Sequence, residues 1–187
     1  MIDINSHDPD QPDGPVAAGR SLALNHASRQ WKERTANDPH AEDERFIALL
    51  DSLLADGGDG APVTDLPPDV VADLITGLRR RHLRDIAVEY VRPSELNRAR
   101  ELWALLARHC DPADQKSAAP LLTLAAYTAL VAKERAAAAA LIRQARTADP
   151  DYLLAELLAR LVATGGAIDQ LVVDCEAARV RRLARRS

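Results

Sequence analysis

Arginine is the residue type that occurs in clusters in this sequence, and these clusters could contact a partner molecule. One cluster follows a predicted helix, and the other lies near the carboxyl end of the chain. The eight candidate partner contacts are Arg79, Arg80, Arg81, Arg84, Arg181, Arg182, Arg185 and Arg186. Guanidinium groups can grip an acidic patch of a partner or a phosphate backbone. The same pattern is typical of solvated helix ends, where arginines complement the helix dipole and their stems cover apolar neighbours.

The other polar residues predict no catalytic, cofactor or metal site. His109 and Cys110 are adjacent, and neighbouring helical residues point about 100° apart, so they would not face each other as a nucleophile and its base. The histidines at positions 7, 26, 40, 82 and 109 show no metal-ligand spacing. The glycine-rich stretch 56–60 lacks the Gly-Lys-Ser/Thr ending of a phosphate loop and the ligand spacing of a calcium loop. We interpret it as a linker.

Composition and charge narrow the class of protein. The net charge is −4, so the molecule as a whole does not attract nucleic acid or anionic lipid. Arginine outnumbers lysine 21 to 3, which we interpret as the mark of a GC-rich genome. Cys110 and Cys175 form no Cys-x-x-Cys motif, and the first residues are acidic and lack the pattern of a signal peptide. These features predict a reduced, cytoplasmic protein.

Apolar residues recur at helical spacing through most of the chain, which predicts an all-α fold. We expect one domain of about seven to eight antiparallel helices with short connections. Helix starts are predicted at Pro39, at Leu66-Pro67-Pro68, at Pro93 and at Pro150, because proline suits the first helical position. Trp31 and Trp103 are expected to pack in the domain rather than bind a ligand.

The stretch from Ala118 to Gly165 contains the clearest helices. Two alanine-rich segments could pack backbone against backbone, with a turn at 133–135. One continuous helix is an alternative, but it would be apolar around most of its circumference and would need cover on every side. A membrane span is a third interpretation, yet the apolar run before Lys133 is shorter than the ~20 residues that a bilayer requires. We predict a helical hairpin.

This hairpin resembles a tetratricopeptide-type helix pair. The resemblance lies in the small residues Ala126, Ala138 and Ala145, in the bulky Ile142 between the last two, and in Pro150 shortly after them. Any close-packed alanine-rich hairpin would share these features.

A broader resemblance covers residues 66–165. The segments LPPDVVADLITGLRRRHLRDIAVEYV, ELWALLARHC, APLLTLAAYTALV and ADPDYLLAELLARLV are similar to the C-terminal helical part of an actinobacterial family, domain of unknown function forty-one ninety-two (DUF4192). The resemblance implies a helical fold and supplies no catalytic residues. It also implies a glycine-containing turn where this chain has Lys133-Glu134-Arg135.

The predicted organisation has five parts. They are a disordered acidic leader (1–15), N-terminal helices (16–56), a glycine-rich linker (57–65), a main helical domain (66–178) and a basic tail (179–187).

The sequence narrows the function mainly because it predicts no catalytic, cofactor or metal site. Helical arrays expose grooves that accept peptides or other helices, so we expect a non-enzymatic interaction or scaffold module with a protein partner and no membrane contact. A nucleic-acid-associated protein that uses the arginine clusters is one alternative. An enzyme whose residues converge only in three dimensions is the other. The sequence leaves the partner and the oligomeric state open.

Overall fold

The computed structural model describes residues 15–54, 63, 66–110, 112–166 and 168–185, with side chains omitted at 15–24, 112 and 113. These residues form nine α-helices and no strand, which confirms the all-α prediction. The helices are α1 (Pro15–Asn37), α2 (Pro39–Leu54), α3 (Pro68–Leu78), α4 (Arg81–Ala87), α5 (Pro93–Arg108), α6 (Ala118–Val131), α7 (Arg135–Ala148), α8 (Leu153–Ala163) and α9 (Asp169–Ala184). A short 3-10 helix (Pro112–Ser117) precedes α6. None of the helices described is long and apolar enough to cross a bilayer.

The helix count of the described residues is slightly higher than the seven to eight that we predicted, and the backbone leaves the helical conformation at Arg80. Its φ of −79° and ψ of 123° are extended, so the segment after Pro68 divides into α3 and the short α4. The predicted leader and most of the predicted linker lie outside the described residues.

Three of the four predicted proline starts are confirmed. Helices α2, α3 and α5 each begin at a proline. Asp38 caps α2, since its Oδ1 accepts hydrogen bonds from the backbone N–H groups of His40 at 3.1 Å and Ala41 at 3.0 Å.

The fourth predicted start, at Pro150, is wrong because α8 begins at Leu153. Asp149 has an extended backbone and terminates α7. The backbone N–H of Tyr152 donates to the carbonyl of Asp149 at 3.2 Å, so a turn separates α7 from α8.

The N-terminal helices share one hydrophobic core with α3, α4, α5 and α6. Trp31 packs edge-on against Phe46 with ring centroids 5.8 Å apart, and Trp103 is fully buried, as predicted for both tryptophans. Gly77 on α3 lies against the Phe46 ring, and a Cβ placed there would come within 2.3 Å of it. The missing side chain therefore allows α2 and α3 to approach each other.

Helices α6 and α7 form the predicted hairpin, and the continuous-helix alternative is wrong. Almost every residue of α6 is buried, and α7 places Ala138, Ile142 and Ala145 against it. The turn requires a left-handed residue, which is Lys133 with φ of 64°. This is the place where the family resemblance implies a glycine. The likeness to a tetratricopeptide pair stays a prediction.

Helix α9 continues through residue 179, where we predicted the start of a basic tail. Its inner side carries Val172 and Cys175, which pack against the hydrophobic core of α6, α7 and α8. It also carries Arg179, whose side chain is buried. Gly165, with φ of 67°, lies in the connection between α8 and α9.

Candidate interaction groove and the arginine pairs

A groove of about 680 Å³ runs along the junction of α1 and α3 and reaches the 3-10 helix. It is lined by Asn25, Ser28, Trp31, Lys32, Thr35, Ala36, Ile75, Thr76, Arg79, Arg80, Cys110, Asp114 and Ser117. This volume lies within the ~300–1,000 Å³ typical of ligand sites.

The interior of the groove is mainly apolar, and two of its hydroxyl groups bond to each other. Trp31 and Ile75 line it with the small part of their apolar surface that remains exposed, 4% and 6% respectively. The hydroxyl groups of Ser28 and Thr76 bond to each other across the α1–α3 contact at 3.1 Å. An apolar side chain of a ligand could therefore enter without stripping water from a charge.

The rim of the groove is basic. Arg79 donates hydrogen bonds to Asp114 and Ser117, and both partners of the Arg79–Asp114 pair are about half exposed. Exposed ion pairs of this kind contribute about 0–1 kcal/mol, so an incoming carboxylate could replace Asp114 at little cost. Lys32, on the opposite wall, forms no ion pair with any side chain that the structure describes.

Thr35 supplies a polar group without an internal partner. Its Oγ1 is shielded from solvent and has no hydrogen bond to the described part of the chain. A buried hydroxyl that lacks a partner costs roughly 1–3 kcal/mol.

Cys110 is a poor nucleophile. Burial raises the pKa of its thiol to about 12, and the nearby Arg79 only partly offsets this. Its Sγ donates to the carbonyl of Leu106 at 3.6 Å, whereas His109 Nδ1 lies 2.9 Å from the carbonyl of Leu105. The two adjacent side chains are therefore directed at different groups, as the sequence predicts.

The arginines of the first cluster do not form one surface, because their side chains contact different parts of the domain. Arg79 and Arg80 both line the groove, and Arg80 Nη1 lies 2.5 Å from Asp43, which also pairs with His82. Arg81 is exposed, and its Nε lies 3.8 Å from Asp85 of its own helix. Arg84 lies over the ring of Tyr152, 5.2 Å from the centroid.

The second cluster is also divided. Arg182 turns inward, with Nε 2.8 Å from Glu89 and Nη1 3.7 Å from Asp51. Burial disfavours its charge, but the hydrogen bond to Glu89 and the neighbouring carboxylates outweigh burial, and the pKa of Arg182 is raised. Arg181 and Arg185 are exposed at a cavity of about 610 Å³ between α2 and α9. Arg186 lies outside the described residues.

A family model described as Domain of unknown function (DUF4192) matches residues 3–167. The chain belongs to this family. The matched region of the DUF4192 domain includes α1–α8 and is therefore wider than the resemblance seen over residues 66–165. Helix α9 follows it. No curated protein and no solved structure matches the chain.

The docking of α1 on α2 and α3 includes an ion-pair network that sequence reasoning missed. Arg34 of α1 bonds to Glu42 of α2 at 3.0 Å and to Asp73 of α3 at 2.8 Å. Burial disfavours the charge of Arg34, but the two carboxylates outweigh it, so its pKa is raised. The residues are far apart in sequence, and no short motif links them.

Arg179 is the other important residue that was missed. It forms an ion pair with Glu95, and the side chains are 7% and 0% exposed. Its guanidinium lies over the Tyr90 ring, 4.6 Å from the centroid, and the Tyr90 hydroxyl donates to Asp51 at 2.7 Å. A signal was present in the sequence, since Cys175, Arg179 and Arg182 share one face of α9. Among the described residues, no three His, Cys, Asp or Glu side chains converge as a metal site would require.

Proposed function

We propose that this DUF4192 domain is a non-enzymatic interaction module whose α1–α3 groove binds a segment of a partner protein. The observation that carries the proposal is the combination of an open apolar groove with a basic rim. Trp31 and Ile75 offer apolar surface, while Lys32 and Arg79 lie where a ligand would enter. The fold would act as the scaffold that holds α1 against α3.

The groove favours a particular partner chemistry. An apolar anchor side chain would contact Trp31 and Ile75, as anchors do in helix-in-groove recognition. A neighbouring Asp or Glu of the partner would pair with Lys32 or exchange with Asp114 on Arg79. The proposed ligand is therefore an acidic segment with one or two large apolar residues.

Nucleic-acid association remains the second hypothesis, with less support. Arg79, Arg80 and Arg182 have carboxylate partners within the domain. Arg81, Arg181 and Arg185 are exposed, but they are distributed over α4 and the end of α9. Phosphate contacts would make binding fall steeply with salt. An electrophoretic shift assay with duplex and single-stranded DNA at low salt tests this, and absence of any shift would end the hypothesis.

The groove can be tested without a known partner. A display library of short random peptides is panned on the immobilised domain, with counter-selection on Ala36→Trp. Ala36 is an exposed residue of the groove wall, so an indole there should fill the groove without disturbing the core. We expect enrichment of acidic peptides that contain a large apolar residue, and binding that Ala36→Trp loses.

The matched control is Ala137→Trp, which adds the same side chain at an exposed position of α7 outside the groove lining. It should bind the selected peptides as the wild type does. Circular dichroism confirms that both variants fold. Peptides that bind the wild type and Ala36→Trp equally, or no enrichment in repeated selections, would refute the proposal.

A further inference from the structure

Helix α9 leaves two valines exposed on its outer face. Val173 and Val180 are 55% and 61% exposed, whereas the inner face carries the apolar Val172 and Cys175 together with the charged Arg179 and Arg182. An amphipathic helix on the surface of a domain normally places its apolar side chains inward and its charges outward. Apolar side chains that remain this exposed are candidates for contact with a second surface.

The outer face has the spacing of a helix–helix seam. Val173, Ala177 and Val180 follow one another at i, i+4 and i+7, the alternation by which two helices pack along a shared stripe. Leu183 lies along one edge of this stripe and is 43% exposed. We refer to these four residues as the outer α9 face.

The charges that flank this face are complementary to those of another α9. Glu176 and Arg181 lie on opposite edges of the stripe, five positions apart, which is the spacing of interhelical ion pairs between two parallel helices. Both side chains are exposed. In a parallel, two-fold symmetric pair, Glu176 of each copy would face Arg181 of the other, so the contact would form twice.

We propose that the outer α9 face is a self-association surface, and that its occupant is the same face of a second copy of this chain. The inner face fixes the orientation of α9 through the Arg179–Glu95 and Arg182–Glu89 pairs and so keeps the valines outward. The area buried by such a short seam would be smaller than the ~1,200–2,000 Å² of a standard protein–protein interface. The fraction of dimer should therefore depend on the protein concentration. The surface is separate from the α1–α3 groove, and either proposal can fail alone.

Sedimentation equilibrium of the whole chain over a range of concentrations tests the proposal. The wild type is expected to show a monomer–dimer equilibrium, and Val180→Glu should raise its Kd by about tenfold or more by placing like charges in the seam. The control is Leu153→Glu, since Leu153 is 64% exposed on α8, away from the outer α9 face. It should leave the Kd unchanged. A strictly monomeric wild type, or equal effects of the two variants, would overturn the proposal.

Charge reversal tests the arrangement of the two helices. Arg181→Glu should weaken the dimer, because the new carboxylate would lie opposite Glu176 of the other copy and the two negative charges would repel each other. The double variant Glu176→Arg with Arg181→Glu should restore the wild-type Kd within about threefold, as the pair is re-formed with its signs exchanged. Loss of dimerisation in the single variant without recovery in the double variant would refute the parallel pairing.

Discussion

The α6–α7 hairpin and helix α9 are held in the domain by different means. The hairpin packs small apolar side chains against one another, with Ala126, Ala129 and Ala138 fully buried. Helix α9 is fastened by arginines that reach into the domain and pair with carboxylates of the α4–α5 region. Close packing is specific to the shape of the hairpin, whereas α9 adds a few buried charge pairs to the apolar contacts of Val172 and Cys175.

The two regions differ in how much surface they leave for a partner. Helix α6 is almost entirely buried and leaves little surface for a partner, so substitutions at its contact with α7 would mainly change stability. Helix α9 and the α1–α3 groove instead leave apolar surface uncovered. Substitutions in the two regions should therefore differ both in the size and in the kind of their effects.

The largest effect is expected from breaking the buried α9 pair. Glu95→Ala would leave the Arg179 guanidinium buried without its carboxylate, and it would also remove the bond from Glu95 to the Arg92 N–H. Loss of one partner of a buried pair costs about 3–5 kcal/mol. Urea denaturation should show a drop of that size in the free energy of unfolding.

The double variant Glu95→Leu with Arg179→Met is the informative companion, because replacing both charges by apolar groups is often neutral. It should recover most of the lost stability. A double variant as unstable as the single one would mean that the charge pair itself holds α9 in place.

A smaller effect is expected from overpacking the hairpin. Ala138 is fully buried at the α6–α7 contact, whereas the neighbouring Ala137 is exposed. Ala138→Leu should reduce the free energy of unfolding by about 1–3 kcal/mol, because extra methylene groups force the helices apart. Ala137→Leu should stay within about 0.5 kcal/mol of the wild type. Similar values for the two variants would contradict close packing of the hairpin.

The two regions meet at Tyr127 of α6, whose hydroxyl donates to Cys175 Sγ of α9 at 3.3 Å. Burial raises the pKa of the Cys175 thiol above its usual 9.0, and burial likewise raises the pKa of Cys110 to about 12. For a pKa that is raised on folding, the stabilisation is complete below the unfolded value and is lost as the pH rises through the folded value. Stability should therefore fall above pH 9.

Urea denaturation at several pH values measures that fall. Cys175→Ala removes one of the two thiols and should make the fall less steep, although Cys110 still contributes in the same direction. An unchanged slope in Cys175→Ala would show that the α9 thiol does not titrate differently on folding.

The smallest effect is a gain in stability at the hairpin turn. Lys133 adopts φ of 64°, a left-handed conformation that costs a residue with a Cβ about 1–2 kcal/mol. Lys133→Gly removes this strain but adds about 0.5–1 kcal/mol of backbone entropy cost. A net gain of about 0.5–1 kcal/mol is expected by thermal or urea denaturation. A loss of stability would indicate that the exposed Lys133–Asp169 pair matters more than the turn.

The sequence predicts the elements that follow local rules. Helical periodicity and proline positions identify the hairpin and the starts of α2, α3 and α5, because these depend on neighbouring residues. The start of α8 was misplaced because Asp149 terminates the preceding helix instead of capping the next. Local patterns cannot reveal pairs such as Arg34–Asp73 or Arg179–Glu95, which join distant segments. The groove is likewise a product of how α1 docks on α3.

Local sequence patterns were also insufficient to predict which arginines could contact a partner. Eight arginines were candidate contacts by position, yet adjacency in sequence did not predict which would turn inward. Arg182 pairs with Glu89 inside the domain, whereas its neighbour Arg181 is exposed. Residues separated by one position on a helix point in directions about 100° apart, so one cluster supplies both an internal anchor and a surface charge.

We propose that recognition takes place in the α1–α3 groove while the hairpin serves as scaffold. The most direct test is a two-dimensional ¹H–¹⁵N NMR titration of the domain with a peptide selected on it. The account predicts that the largest shifts map to the groove lining, including Trp31, Thr35, Thr76 and Arg79, and that amides of the α6–α7 hairpin stay in place. Shifts centred on the hairpin, or on α9 with the groove unchanged, would contradict it.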